Sequence, residues 1–202
     1  AFMLVTMTLL AAAAVLSLSR AAWGNMALAG GLYLVLMLRG TGRMYLSRFL
    51  ALGIAALVVG ALVFQFLGLG DAVASRSGYH AYDEQRFDTQ WRGLLAGLSY
   101  PLGVGPGGWP TAHSLYAKTL AEHGVLGVSA LALLIGALVI PLAQRALREP
   151  AANTVLPAAL LLALIVGQLG NSFVIDTIHW RHFWMLLGLA WALLVFPERE
   201  TK

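Results

Sequence analysis

Runs of apolar residues about as long as a bilayer is thick, separated by short breaks carrying arginine, constrain this chain more than any other feature. A helix rises ~1.5 Å per residue, so crossing a ~30 Å hydrocarbon layer takes roughly 20 mainly apolar residues. Six such segments read off directly, at about 1–18, 21–38, 49–70, 125–144, 151–170 and 180–196. Only 11% of the 202 residues are charged, against 59% hydrophobic, where soluble domains average roughly 25% charged. The pattern reads as an all-α integral membrane protein, a single membrane domain over 1–202. It would have about six transmembrane helices and one long connection, 71–124, containing short helices. Tryptophans at 23, 180, 184 and 191 fall where interfacial anchors belong.

Lysine and arginine in the breaks set the expected orientation. Arg39, Arg43 and Arg48 follow the second segment, Arg145 and Arg148 the fourth, and Arg199 and Lys202 the sixth. These sites alternate, so all are assigned to the cytoplasmic face. The Arg20 turn, the 71–124 connection and the 171–179 loop are assigned to the other face. The net charge of +4 is spread over those breaks, a topology signal rather than a nucleic-acid patch. The chain has no cysteine, which excludes disulfides and thiolate metal sites. It opens on Ala1 and enters an apolar run without a basic n-region. The expectation is that the N-terminal part of a larger protein is missing.

Arg20 is the only charged residue among the first 38. One reading is a turn between two helices with a snorkelling arginine. The other is a ligand site, since an isolated ionisable group near membrane depth is costly and usually functional. Ser19 beside it is a helix cap or a second donor. Nothing acidic lies near Arg20 in sequence, which leaves its charge for an anionic ligand.

The long connection is polar and then amphipathic. Arg86, Phe87, Gln90, Trp91, Leu94, Leu95 and Leu98 are spaced for a helix lying on or beside the membrane, with Arg86, Gln90 and Gly93 or Leu94 on one face. Arg86 either pairs with Asp83 or Asp88, or offers its planar fork to phosphate oxygens as lysine cannot. The stretch "PLGVGPGGWP" follows. It lacks the Lys-Ser/Thr ending of a phosphate loop, and no strand precedes it. Its glycines and prolines predict a stiff turn that lets backbone approach a ligand closely. A helix is predicted after Pro110 with Thr111 as N-cap, placing His113 in the first turn. A helix N-terminus and nearby arginines both disfavour protonating that imidazole, and a neutral imidazole is what a general base needs. His113 otherwise reads as an interfacial residue packed at a helix start. Tyr116 follows at helical spacing. Glu122 and Lys118 are spaced to pair, and His123 reads as structurally incidental.

Three blocks, "LSLSRAAWGNMALAGGLYLV", "QRFDTQWRGLLAGLSYPLGVGPGGW" and "AHSLYAKTLAEHGVLGVSALALL", resemble the bacterial O-antigen ligase and polymerase family. The matching features are the Ser-Arg-Ala turn, an Arg before a Trp-containing helix ending in Pro-x-Gly-x-Gly, and a His-Ser-x-x…Glu-x-Gly-x-x-Gly segment. The resemblance is to the C-terminal half of that family, whose members have about twice as many spans. The connection between Arg86 and His113 is shorter than in the best-known ligases.

The resemblance implies a metal-independent, cofactor-free inverting glycosyltransferase of the bacterial inner membrane. Such an enzyme moves a glycan from undecaprenyl diphosphate to a saccharide, lipid A-core or protein acceptor at the periplasmic face. It places the carrier diphosphate on Arg20 and Arg86, the essential histidine at His113, and the recurrent acidic position at Glu122. Ser19, Trp91 and Tyr116 would support the site. Membrane lipid would surround it, and nucleic acid has no part. Two other classes stay open. One is a metal-dependent glycosyltransferase using Asp71, Asp83, Glu84 or Asp88. The other is a transporter or flippase subunit that recognises a lipid diphosphate without breaking it.

Overall fold

The computed structural model describes residues 13–14, 17, 19–39, 53–54, 58, 62, 65–68, 70–78, 80–109, 113–148 and 157–196. Among the described residues every regular element is an α-helix: α1 Arg20–Arg39, α2 Gly70–Ser77, α3 Ala81–Ser99, α4 Leu115–Arg148, α5 Ala158–Asn171 and α6 Arg181–Val195. Two of them, α1 and α4, are long and apolar enough to cross a membrane, while α5 and α6 are apolar but shorter. The predicted segment 21–38 is α1. The segment 125–144 lies inside α4, and α5 and α6 fall within 151–170 and 180–196. The segments 1–18 and 49–70 lie largely outside the described residues, as does the arginine cluster at 43 and 48.

Local chemistry fixes the helix ends. Ser19 caps α1 as its position predicts: its Oγ accepts the Ala22 N–H at 3.3 Å and its carbonyl accepts that of Trp23 at 3.1 Å. Arg39 closes the same helix, where a cation suits the free carbonyls. Ser114, not Thr111, opens α4. Its carbonyl accepts the Lys118 N–H at 3.0 Å and its Oγ that of Ala117 at 3.4 Å. Thr111 lies outside the described residues. The helix therefore starts at Leu115, and His113 stands before it rather than in its first turn.

The longest helix is broken. At Gly124 the backbone takes φ 61° and ψ −156°, dividing α4 into a short piece ending at His123 and a long piece from Val125. A break leaves carbonyls and N–H groups without helical partners. The segment after α3 supplies them. Val104 donates its N–H to Ala121 O at 2.9 Å, Gly105 donates to Glu122 O at 3.0 Å, and Pro101 O accepts the Val125 N–H at 2.9 Å. Glycine is required at both contact points. A Cβ on Gly103 would sit 2.3 Å from Glu122 O, and one on Gly124 would sit 2.1 Å from Pro101 O. Both glycines also have positive φ. The sequence predicts that this Gly-Pro turn brings backbone close to a ligand. The backbone it approaches is the chain's own, because a broken helix has polar groups that must be satisfied.

Packing sets the rest. Gly93 and Gly97 of α3 lie against Ala117 and Leu120 of α4, so the two helices touch almost backbone to backbone. Trp91, Leu95 and Leu98 on the other side of α3 are exposed. The helix is amphipathic as its spacing predicts, but small residues, not the large apolar ones, face its partner. Helix α1 meets α5 through Gly167 and Gly170, which accept Asn25, Ala29 and Leu28. This small-residue contact is how helices associate where packing rather than water exclusion drives them. Leu138, Leu142, Leu161, Ile165, Phe183 and Leu187 fill the space between α4, α5 and α6. At one end of the bundle Leu115 donates its N–H to Ser172 O at 3.0 Å, bringing the start of α4 to the end of α5. At the other end Arg145 of α4 donates to Leu193 O of α6. Arg20, Arg86 and His113 gather at the first end.

Candidate diphosphate site

A cavity of about 440 Å³ opens between α1, α3 and the end of α5. Helix α1 contributes Arg20, Ala21, Gly24, Asn25 and Leu28 to its wall. Along α3 the wall is Asp83, Arg86, Phe87 and Gln90, residues three, four and seven apart that share a helical face. Gly170, Asn171 and Val174 close it. Arg20 and Arg86 thus meet in one cavity although they are far apart in sequence.

Arg20 is not left without an anion. Its Nη2 donates to both carboxylate oxygens of Asp83, at 2.6 and 2.7 Å, and its Nη1 donates to Gly78 O at 3.1 Å. The expectation that nothing neutralises Arg20 is corrected, because its partner lies 63 residues along the chain. Asp83 is buried, and its Oδ2 also accepts the His80 N–H at 3.1 Å. The Arg20 guanidinium and then that backbone bond hold the Asp83 carboxyl below the ordinary aspartate value.

Arg86 is held differently. Its Nη2 donates to Val174 O, and its guanidinium carbon lies 5.4 Å from the Tyr82 ring centroid. Neither carboxylate weighed for it is available. Asp83 faces Arg20, and Asp88 pairs with Arg92 one turn along at 2.9 Å. Arg86 is therefore oriented by a carbonyl and a ring while its charge is met by no carboxylate among the described residues.

His113 stands beside this cavity and is not among the residues lining it. Its carbonyl accepts the Gln90 amide N–H at 3.2 Å, and its ring meets the edge of Tyr82 at 6.0 Å between centroids. Gln90 and Tyr82 thus link it to the Arg86 helix. Its φ of 42° is left-handed, a conformation uncommon outside glycine. Burial and then the Arg86 charge push its pKa below the ordinary imidazole value, while Asp176 pulls it the other way. The expected direction stands. Its causes are burial and one arginine, not a helix N-terminus and two.

The supporting residues divide. Ser19 caps α1. Tyr116 donates its hydroxyl to Leu169 O at 2.8 Å and packs on Phe173, so it ties α4 to α5. Trp91 is 60% exposed and does not line the cavity. Glu122 is buried, with His123 Nε2 3.9 Å from its Oε2. The pairing of Glu122 with Lys118 does not form, because Lys118 reaches Asp176 at 2.9 Å and His179 at 3.2 Å instead. Of the acidic residues weighed as metal ligands, Asp83 and Asp88 are engaged by arginines. Among the described residues no three His, Asp or Glu side chains come together as a metal ion would require.

Sequence reasoning missed Asp83 as the Arg20 partner. It also missed the polar wall of Asn25 and Asn171. Asp83 had a usable signal in its spacing of three from Arg86, which puts both on one helical face.

No family model, curated protein or solved structure matches this chain.

Proposed function

We propose that this protein is a membrane glycosyltransferase that moves a glycan from an undecaprenyl-diphosphate carrier to a saccharide, lipid A-core or protein acceptor, as its three sequence blocks imply. One observation carries the reading: Arg20 and Arg86, from two separate blocks, line the same cavity, and His113, from the third, is bound to the helix bearing Arg86. A diphosphate in that cavity meets a guanidinium on α1 and another on α3. The acceptor hydroxyl gives its proton to the His113 imidazole as its oxygen attacks the anomeric carbon. The bond from that carbon to the diphosphate oxygen breaks, and the diphosphate leaves with the electron pair. The arginines stabilise the charge developing there. One displacement inverts the anomeric centre. The proposal includes a six-span arrangement in the bacterial inner membrane with this end of the bundle facing the periplasm. The exposed Leu133, Ile140, Met185 and Trp191 side chains suit lipid as the surrounding solvent.

The position of His113 outside the cavity wall favours one other reading, in which the cavity recognises a lipid diphosphate that the protein moves without cleaving. A transfer assay separates the two. Purified protein in lipid vesicles is given a glycan on undecaprenyl diphosphate and a saccharide acceptor. Glycosyltransfer releases free undecaprenyl diphosphate and yields an elongated acceptor, and His113→Ala abolishes both products. Transbilayer movement of an intact donor, with no release, refutes the transferase.

A further inference from the structure

The Asp83 carboxylate occupies the place on Arg20 that an incoming anion needs. Nη2 of Arg20 donates to both Asp83 oxygens, and Nη1 donates one bond to Gly78 O. Carboxylate and phosphate oxygens accept the same guanidinium donors, so any phosphate that engages these donors does so in competition with Asp83. The contact is built, not incidental. Asp83 is buried, is fixed by the His80 N–H, and sits on the cavity face of α3 one turn before Arg86. The charges lining the cavity are therefore two cations and one anion.

An arginine-lined cavity at a membrane surface faces a large excess of ordinary phospholipid headgroups, each offering a single phosphodiester with one negative charge. A diester of diphosphoric acid carries two charges on two adjoining phosphoryl groups. A single phosphodiester gains little here. If it engages Arg86 alone it forgoes Arg20, and if it engages the Nη2 donors of Arg20 it must displace a carboxylate of equal charge. A diphosphate reaches Arg86 with one phosphoryl group and brings a second charge against Asp83. We infer that Asp83 is a specificity-determining residue that excludes single phosphodiesters from the Arg20–Arg86 cavity while admitting diphosphates. This rests on the diphosphate reading of the cavity above.

The test uses the full chain in detergent and two water-soluble probes, inorganic diphosphate and dimethyl phosphate, with binding read by calorimetry. Wild type is expected to bind diphosphate at least roughly tenfold more tightly than dimethyl phosphate. That is the scale of one charge-assisted hydrogen bond. In Asp83→Asn the preference should collapse, because dimethyl phosphate gains affinity for the freed Arg20. Asp83→Gln is the second variant, since Gln is favoured three residues into a helix by capping geometry and keeps the test open should Asn fail to fold. Asp83→Glu, with the charge kept, should still exclude the phosphodiester. An unchanged preference in Asp83→Asn or Asp83→Gln overturns this inference alone. So does a loss of diphosphate binding in either neutral variant, since Asp83 would then be holding Arg20 in place. Failure of wild type to bind diphosphate overturns both this inference and the diphosphate site itself.

Discussion

Substituting alanine at Gly103 tests the docking of the Gly-rich segment onto the broken helix. The new Cβ would lie 2.3 Å from Glu122 O, 2.5 Å from Glu122 C and 2.7 Å from Gly124 N. All three are backbone atoms, so no rotamer change relieves the clash and the segment must lift. Lifting it endangers three hydrogen bonds: Val104 to Ala121, Gly105 to Glu122, and Val125 to Pro101. At ~0.5–1.5 kcal/mol net each, their loss costs about 1.5–4.5 kcal/mol. The left-handed backbone at φ 81° adds roughly 1–2 kcal/mol for any residue with a Cβ. The control is Gly105→Ala. That position is also left-handed, at φ 95°, but has nothing within 4 Å of its Cβ, so it carries the backbone cost without the clash. Thermal unfolding of both variants in lipid nanodiscs reads the difference, at roughly 2–4 °C of midpoint per kcal/mol for a chain of this size. Gly103→Ala should fall clearly below Gly105→Ala. Equal midpoints for the two would refute the docking account.

The remaining expectations concern the site. Arg86→Lys should cut glycan transfer about ten- to a hundredfold despite keeping the charge, because the planar fork held between Val174 O and the Tyr82 ring is lost; wild-type turnover would remove Arg86 from the clamp. A rate that requires neutral His113 should fall only below about pH 6.5, the ordinary imidazole value, since burial and Arg86 lower its pKa. Loss of that limb in His113→Ala, with a rate drop of ~10²–10⁴-fold and no effect of EDTA on wild type, is the expected signature. An acid limb above that value, or chelation that kills the enzyme, would shift the chemistry away from this residue. Single cysteines at Thr41 and Ser77 report topology: an impermeant thiol reagent applied to intact cells should label position 77 and spare 41, and the opposite pattern inverts the assigned orientation.

Local signals in the sequence were readable wherever the determining atoms are near neighbours. Ser19 and Arg39 bracket α1 because a cap and a last-turn cation act within a few residues. That Arg86 and Gln90 share a face of α3 follows from spacing alone, and both line the cavity, while Gly93 and Leu94 do not. Tertiary partners were not readable. Arg20 looks isolated because its carboxylate arrives from another helix. Lys118 has Glu122 at the right spacing yet takes Asp176 from the loop after α5. The Gly-Pro turn carries a true signal for close backbone approach, but the identity of what it approaches depends on a helix break that only the folded chain reveals. His113 shows the same limit. The resemblance of the three blocks implied a site shared with Arg86, while the left-handed turn before Ser114 left no signal in the sequence.

The pairing of Gly103 with Gly124 makes one signature out of two distant blocks. A Cβ on either glycine would strike the backbone of the other's residue, at 2.7 Å from Gly124 N and 2.6 Å from Gly103 N. Neither position is free to vary alone, and the chain length from 101 to 103 and from 121 to 125 is fixed with them. Gly105 and Gly107 face open space but keep left-handed backbone, and Gly105 still donates its N–H to Glu122 O. In sequence comparison, Pro-x-Gly and Glu-x-Gly should be matched as one discontinuous word.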